Sequence, residues 1–243
     1  DITSQWANFT VAGPSARDVL NAMRTDIRLS AKTMPHMTTA AGTMAGVKVR
    51  VVRVSFSGEL SYEVNVPARF AENFLQALLV AGKPFGLTPY GVEALMILRL
   101  EKGYLHIGSD TDGSSTPDDV GWGQVARNKQ ADYLGKRSLS RPANEQEGRK
   151  QLVGLEALDP EQAMRPGGHL LIGGDRQPPA ETDGWVTSAC YSPNLERHIA
   201  LGMLRDGREQ LGQTVTVCDE QDRFEANVVA PVFYDPENNK LEY

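Results

Sequence analysis

The sequence predicts an α+β protein: an antiparallel sheet with helices on one face, followed by a small all-β barrel or sandwich. Three observations predict it. Stretches in the first 70 residues alternate apolar and polar positions as half-buried strands do, and two later stretches carry apolar residues at helical spacing. Beyond residue 150 the chain becomes a series of short β-branched runs divided by Gly, Pro and Asp turns.

Trp6 to Ala12 reads as the first strand. Gly13-Pro14-Ser15 turns the chain, with Ser15 as helix N-cap, and Val19, Leu20 and Met23 share one face of a helix over 16–23. Val47 to Phe56 sets valines against basic residues, and Ser61 to Val66 answers it across Ser57-Gly58-Glu59-Leu60, so the two runs make a hairpin. Pro67 opens a helix to Val80 whose Phe70, Phe74, Leu75, Leu78 and Leu79 form one stripe, broken by Gly82-Lys83-Pro84-Phe85-Gly86. A third helix, from Thr88-Pro89 to about Lys102, carries Leu95, Leu98 and Leu100 and stops at Gly103. Asp110 to Asp119 reads as a surface loop and 140–148 as a linker. Strands then fall at 151–155, 184–188, 198–203, 214–217 and 224–229.

The 243 residues carry 25 Lys and Arg against 31 Asp and Glu, a formal charge of −6. Without a basic stripe there is no electrostatic footprint for nucleic acid or an anionic membrane surface, and neither is expected as a partner. Cys190 and Cys218 form no C-x-x-C pair, and the four histidines show no metal-ligand spacing, so no metal site is expected. No apolar run approaches the roughly 18 to 20 residues of a membrane span, and the start lacks the regions of a signal peptide; a cytoplasmic location is the expectation. The chain opens without Met directly on a strand, which reads as a segment entered partway through a domain.

Nucleophile elbow, Walker loop and dinucleotide fingerprint are all missing. Gly121-Trp122-Gly123 and Gly173-Gly174 read as turns, because no helix is predicted after them to aim amides at a phosphate. Ser188 and Cys190 lack a His and carboxylate at family spacing. Asp110, Asp112, Asp118 and Asp119 do not follow the order of an EF-hand loop, and they read as a solvated acidic loop.

One hairpin stands out: Ser55-Phe56-Ser57-Gly58-Glu59-Leu60-Ser61-Tyr62-Glu63-Val64. It resembles the folate-site motif S-Y-x-G-E-x-x-x-E-[IV] of the T-protein family, the glycine-cleavage aminomethyltransferases. The likeness is closer still to the folate-binding C-terminal region of sarcosine oxidase α subunits. The same register continues through Thr88 to Ala94, Arg99-Leu100-Glu101-Lys102-Gly103, Ser109 to Gly113, Asp132 to Leu139, Val186-Thr187-Ser188 and Pro231 to Pro236. The resemblance implies a T-protein-like antiparallel sheet with helices (a ferredoxin-like part), then a C-terminal β-barrel domain, with the family's N-terminal part and its catalytic aspartate upstream of this chain. No catalytic residue is therefore assigned. Leu95 and Gln210 stand where T-proteins carry arginines, as in the sarcosine or dimethylglycine oxidase branch.

The chemistry of the hairpin stands beside the resemblance. A pterin presents adjacent N–H donors on its aminopyrimidinone edge, and a carboxylate is the acceptor-only group that takes both. Glu63 has that chemistry; strand alternation alone favours a solvated carboxylate, and the resemblance reverses the choice. Phe56 supplies an aromatic wall for the ring. Tyr62 points to the opposite face from Glu63 by the period of two, and is a site candidate only if the strand bends. Glu59 reads as a turn residue, and Arg99 and Glu101 as a structural pair at the helix end.

The expected domains are residues 1–146, a folate-binding aminomethyltransferase-like region, and 147–243, the barrel. The resemblance implies tetrahydrofolate as cofactor, other sarcosine oxidase subunits as partners, and flavin and NAD held elsewhere in the complete enzyme. Its implied activity is capture of the oxidised methyl group of sarcosine as 5,10-methylenetetrahydrofolate. The alternatives are a stand-alone glycine-cleavage-type aminomethyltransferase and a noncatalytic folate-fold scaffold or assembly module. The stretch Lys129 to Lys136 lacks the cysteine of the folate-binding assembly proteins.

Overall fold

The computed structural model describes every residue except Asp175, Gln177, Pro178, Glu220, Gln221 and Tyr243. By contact, it divides into one compact unit of residues 1–99 with 235–243 and a second of residues 100–234.

The first unit is built on β1 (Trp6–Ala12), β2 (Thr38–Met44), β3 (Val47–Arg53) and β4 (Ser61–Pro67) in the order β1-β4-β3-β2, every pairing antiparallel. Helices α1 (Ala16–Ala22) and α2 (Ala71–Gly82) supply its helical layer. Because side chains alternate along a strand, one face carries Val11, Val49, Val51, Tyr62, Val64 and Val66 into a core shared with Val19, Leu20, Phe74 and Leu78. Removing that apolar surface from water, at about 25 cal/mol for each Å², is the main force holding this layer together.

Three local expectations need correction. Ser15 occupies the N-cap position of α1 but makes no side-chain cap bond. The Val47–Val66 hairpin is an open connection over residues 54–60, with pairing from Arg50↔Asn65 to Val52↔Glu63. The tight hairpin is instead β2 to β3, whose Ala45 and Gly46 both have positive φ, 48° and 78°, as a two-residue hairpin turn requires. On α2 the buried stripe is Phe74 and Leu78, whereas Leu75 and Val80 are exposed. The helix ends at Gly82 as expected, where Leu87 packs so closely that a Cβ has no room.

Helix α3 (Val92–Glu101) ends as expected at Gly103, whose φ is +70° and whose N–H donates to Leu100 O at 2.9 Å. In the second unit a short α4 (Gly123–Asn128) follows Trp122, so the Gly121-Trp122-Gly123 turn does lead into a helix, of six residues. Then come β5 (Lys150–Ala157), β6 (His169–Ile172), β7 (Gly184–Ser192), β8 (Arg197–Arg205), β9 (Thr214–Asp219) and β10 (Asp222–Val229). They close into a barrel, β10-β5-β8-β7-β6-β9, which leaves no unpaired edge. Val153, Leu155, Leu170, Val186, Ala200, Val215, Val217 and Val228 fill its interior.

Candidate functional site

The face of the first sheet opposite the core is polar. Register brings Glu63 on β4 beside Thr10 on β1 and Val52 on β3, with Asn8, Asn65 and Arg50 in the neighbouring row. Glu63 is half-buried, and its single hydrogen bond among the described residues is a long one from Asn8 Nδ2 to Oε2, 3.4 Å. Asn8 Nδ2 also donates to Asn65 Oδ1 at 3.1 Å. A carboxylate has about four accepting positions, so most of this one's capacity remains open. Sequence reading placed β1 and β4 but assigned nothing to Asn8 and Asn65. Their parity with Glu63 was the available signal; the pairing register that joins them is set only in three dimensions.

Phe56 is half-buried in the 54–60 connection, whose Gly58 has φ +84° and whose Gly58 N–H donates to Ser55 Oγ at 3.0 Å. Tyr62 belongs elsewhere. It is fully buried in the core, its hydroxyl donating to Leu29 O at 3.0 Å and accepting from Arg17 Nε at 3.1 Å. Burial alternates along β4 from Tyr62 onward, so the period of two keeps Tyr62 on the face away from Glu63. Glu59, as a turn residue, meets Lys240 Nζ at 3.1 Å.

Three carboxylates of the second unit, Glu101, Asp110 and Asp119, are internally committed. Glu101 is buried and accepts from Ser192 Oγ at 2.6 Å and Asn194 Nδ2 at 2.7 Å. Asp110 accepts from Thr187 Oγ1 and Ser188 Oγ, both at 2.6 Å, and from His106 N at 2.8 Å. Asp119 accepts from Thr116 N at 2.7 Å and is paired with Arg149. The expected solvated acidic loop is thus corrected: Asp110 and Asp119 are buried struts that hold 106–119 against the barrel strands, while Asp112 and Asp118 stay outside. Asp118 is held below the usual carboxylate range by hydrogen bonds from Arg127 and Arg208.

A cleft of about 500 Å³ lies along β1, α1 and α2 and is lined by Phe9, Val11, Leu75, Phe85 and Tyr90 among others. It includes neither Phe56 nor Glu63, and burial raises the Tyr90 phenol within it. Among the described residues no group of three or more His, Cys, Asp or Glu is placed to hold a metal, and no helix is long and apolar enough to cross a membrane.

A helix-backed antiparallel sheet with one polar face, followed by a closed six-stranded barrel, is the architecture of a known class. Residues 1–130 match the GCVT N-terminal domain and residues 150–235 the glycine cleavage T-protein C-terminal barrel domain, and the chain belongs to this T-protein family. Within it, the chain is similar along 99% of its length to sarcosine oxidase subunit alpha of Rhizobium meliloti (strain 1021), at 38% identity, and of Corynebacterium sp. (strain P-1), at 35%. It spans about a quarter of those subunits, 24% and 25%. It is also 32% identical to an aminomethyltransferase of Halothermothrix orenii, over 88% of this chain and 57% of that protein. The fold is shared with the glycine cleavage system aminomethyltransferase T of Bartonella henselae, with TM-score 0.76, 20% identity, 95% of this chain and 60% of that one covered.

Proposed function

We propose that the chain binds tetrahydrofolate on the open face of its first sheet and serves as the one-carbon-transfer region of a sarcosine oxidase α subunit. On this reading it captures the oxidised methyl group of sarcosine as 5,10-methylenetetrahydrofolate. The observation that carries the reading is the contrast within the hairpin itself: Glu59 is paired with Lys240, whereas Glu63, on the open sheet face, keeps most of its accepting capacity. An acceptor-only carboxylate with spare lone pairs beside a half-buried aromatic loop fits the donor edge and flat ring of a pterin.

Bound tetrahydrofolate supplies the nucleophilic nitrogens, so the protein's share is to position them and keep water away. Glu63 takes the adjacent N–H donors, each charge-assisted bond contributing about 1.5 to 3 kcal/mol. Asn8, which already donates to Glu63, holds that carboxylate in orientation. Phe56 packs on the ring. No residue of the chain is assigned as the acid or base of the reaction. Residues 1–146 form the folate-binding region and 147–243 the barrel domain; flavin, NAD and the other subunits belong to the rest of a complete cytoplasmic enzyme.

Equilibrium titration with tetrahydrofolate tests the reading. Wild type is expected to bind, and Glu63→Gln to weaken binding about tenfold or more, the equivalent of one lost charged hydrogen bond. Equal binding by the variant removes Glu63 from the site. A wild type that binds no folate favours the scaffold alternative.

A further inference from the structure

The 54–60 connection that carries Phe56 is gripped at both ends by three consecutive residues of the C-terminal segment, Lys240, Leu241 and Glu242. At its start, Arg53 closes β3; it is fully buried, and its guanidinium donates from Nη2 to Leu241 O and from Nη1 to Met34 O, each at 2.8 Å. The carboxylate of Glu242 lies 3.3 Å from the same Nη2. At the end of the connection Glu59 is ion-paired with Lys240 at 3.1 Å. The segment is itself shaped for this. Asn238 takes a left-handed turn with φ 61°, and the Asp235 carboxylate accepts from Asn239 N at 2.9 Å and Lys240 N at 3.2 Å. Leu241 is buried behind the turn. All of these residues lie in the first compact unit.

We propose that residues 235–242 act as a clasp that sets the conformation of the Phe56 connection, with Lys240 as a positioning residue for folate that never touches it. An open connection between two strands otherwise has few backbone bonds to define it and samples many conformations. Fixing Arg53 and Glu59 to one short turn removes much of that freedom before ligand arrives, which is how preorganisation raises affinity. The proposal rests on the folate reading for its functional consequence, but its structural part can be measured without folate.

The test is Lys240→Ala in the full chain, with Lys240→Arg as the conservative control. In the absence of ligand, amide hydrogen exchange of residues 54–60 is expected to quicken by about threefold to fivefold, the range of a half-exposed ion pair, while the barrel strands exchange as before. Tetrahydrofolate is expected to bind the alanine variant more weakly by a similar factor, and Lys240→Arg to restore both properties. Unchanged exchange at 54–60 overturns the clasp, as does unchanged folate affinity in a protein whose wild type binds. A wild type that binds no folate overturns the function proposed above, and the exchange measurement then decides the clasp alone.

Discussion

Glu63 and Glu101 occur in sequence blocks of the same family register, and each sits on a regular element beside hydrogen-bond donors. They have opposite fates. Glu101, in the second unit, is 1% exposed and accepts two short bonds from Ser192 and Asn194. Glu63, in the first, lies on an open sheet face with one long bond from Asn8. A buried carboxylate persists only when its lone pairs are satisfied, so Glu101 serves the fold. A half-buried carboxylate with unsatisfied capacity adds little to stability and remains available to a ligand.

That contrast breaks most visibly at Glu101. Glu101→Ala leaves the buried Ser192 hydroxyl without its acceptor and opens a void at the end of α3, and unfolding in urea should show a loss of about 2 to 4 kcal/mol. Asp119 sharpens the contrast through pH. Burial on its own would push its carboxyl up, but hydrogen bonds from Arg149 and Thr116 and the Arg149 charge outweigh this and hold it below its ordinary value of 3.8. With the folded pKa below the unfolded one, the stabilisation is complete above the unfolded value and disappears as pH falls through the folded one. Thermal unfolding should therefore be insensitive to this group above about pH 5 and weaken below about pH 4. Asp119→Asn should lose about 1 to 3 kcal/mol at neutral pH and show a shallower acid limb. On the open face, Phe56→Leu should lower folate affinity by about threefold to tenfold, as loss of an aromatic packing contact does, with the urea midpoint nearly unchanged.

Strands and helices with clear periodicity were legible in the sequence: β1 and the end of α3 fall where alternation and the Gly103 stop place them. β2 was missed because Thr38 to Met44 carries small residues and no apolar alternation, and only the Ala45-Gly46 turn marks it. β6 was missed because four residues are too few for a period to show. The acidic loop was misread because the partners of Asp110 lie at Thr187 and Ser188, far along the chain, and nothing local reports them. Glu63 was named from its motif; Asn8, its neighbour across the β1–β4 ladder, and Lys240, beyond the barrel, are brought in by long-range pairing alone.

The central claim is that Glu63 recognises the aminopyrimidinone edge, and a cycle crossing protein and ligand changes tests it most directly. Calorimetric titrations would pair wild type and Glu63→Gln with tetrahydrofolate and with its analogue lacking the 2-amino group. If the carboxylate takes that donor, the two changes overlap, and their combined loss falls short of the sum by about 1 kcal/mol or more. Fully additive losses, or a Glu63→Gln variant that binds both ligands as wild type does, would contradict the account.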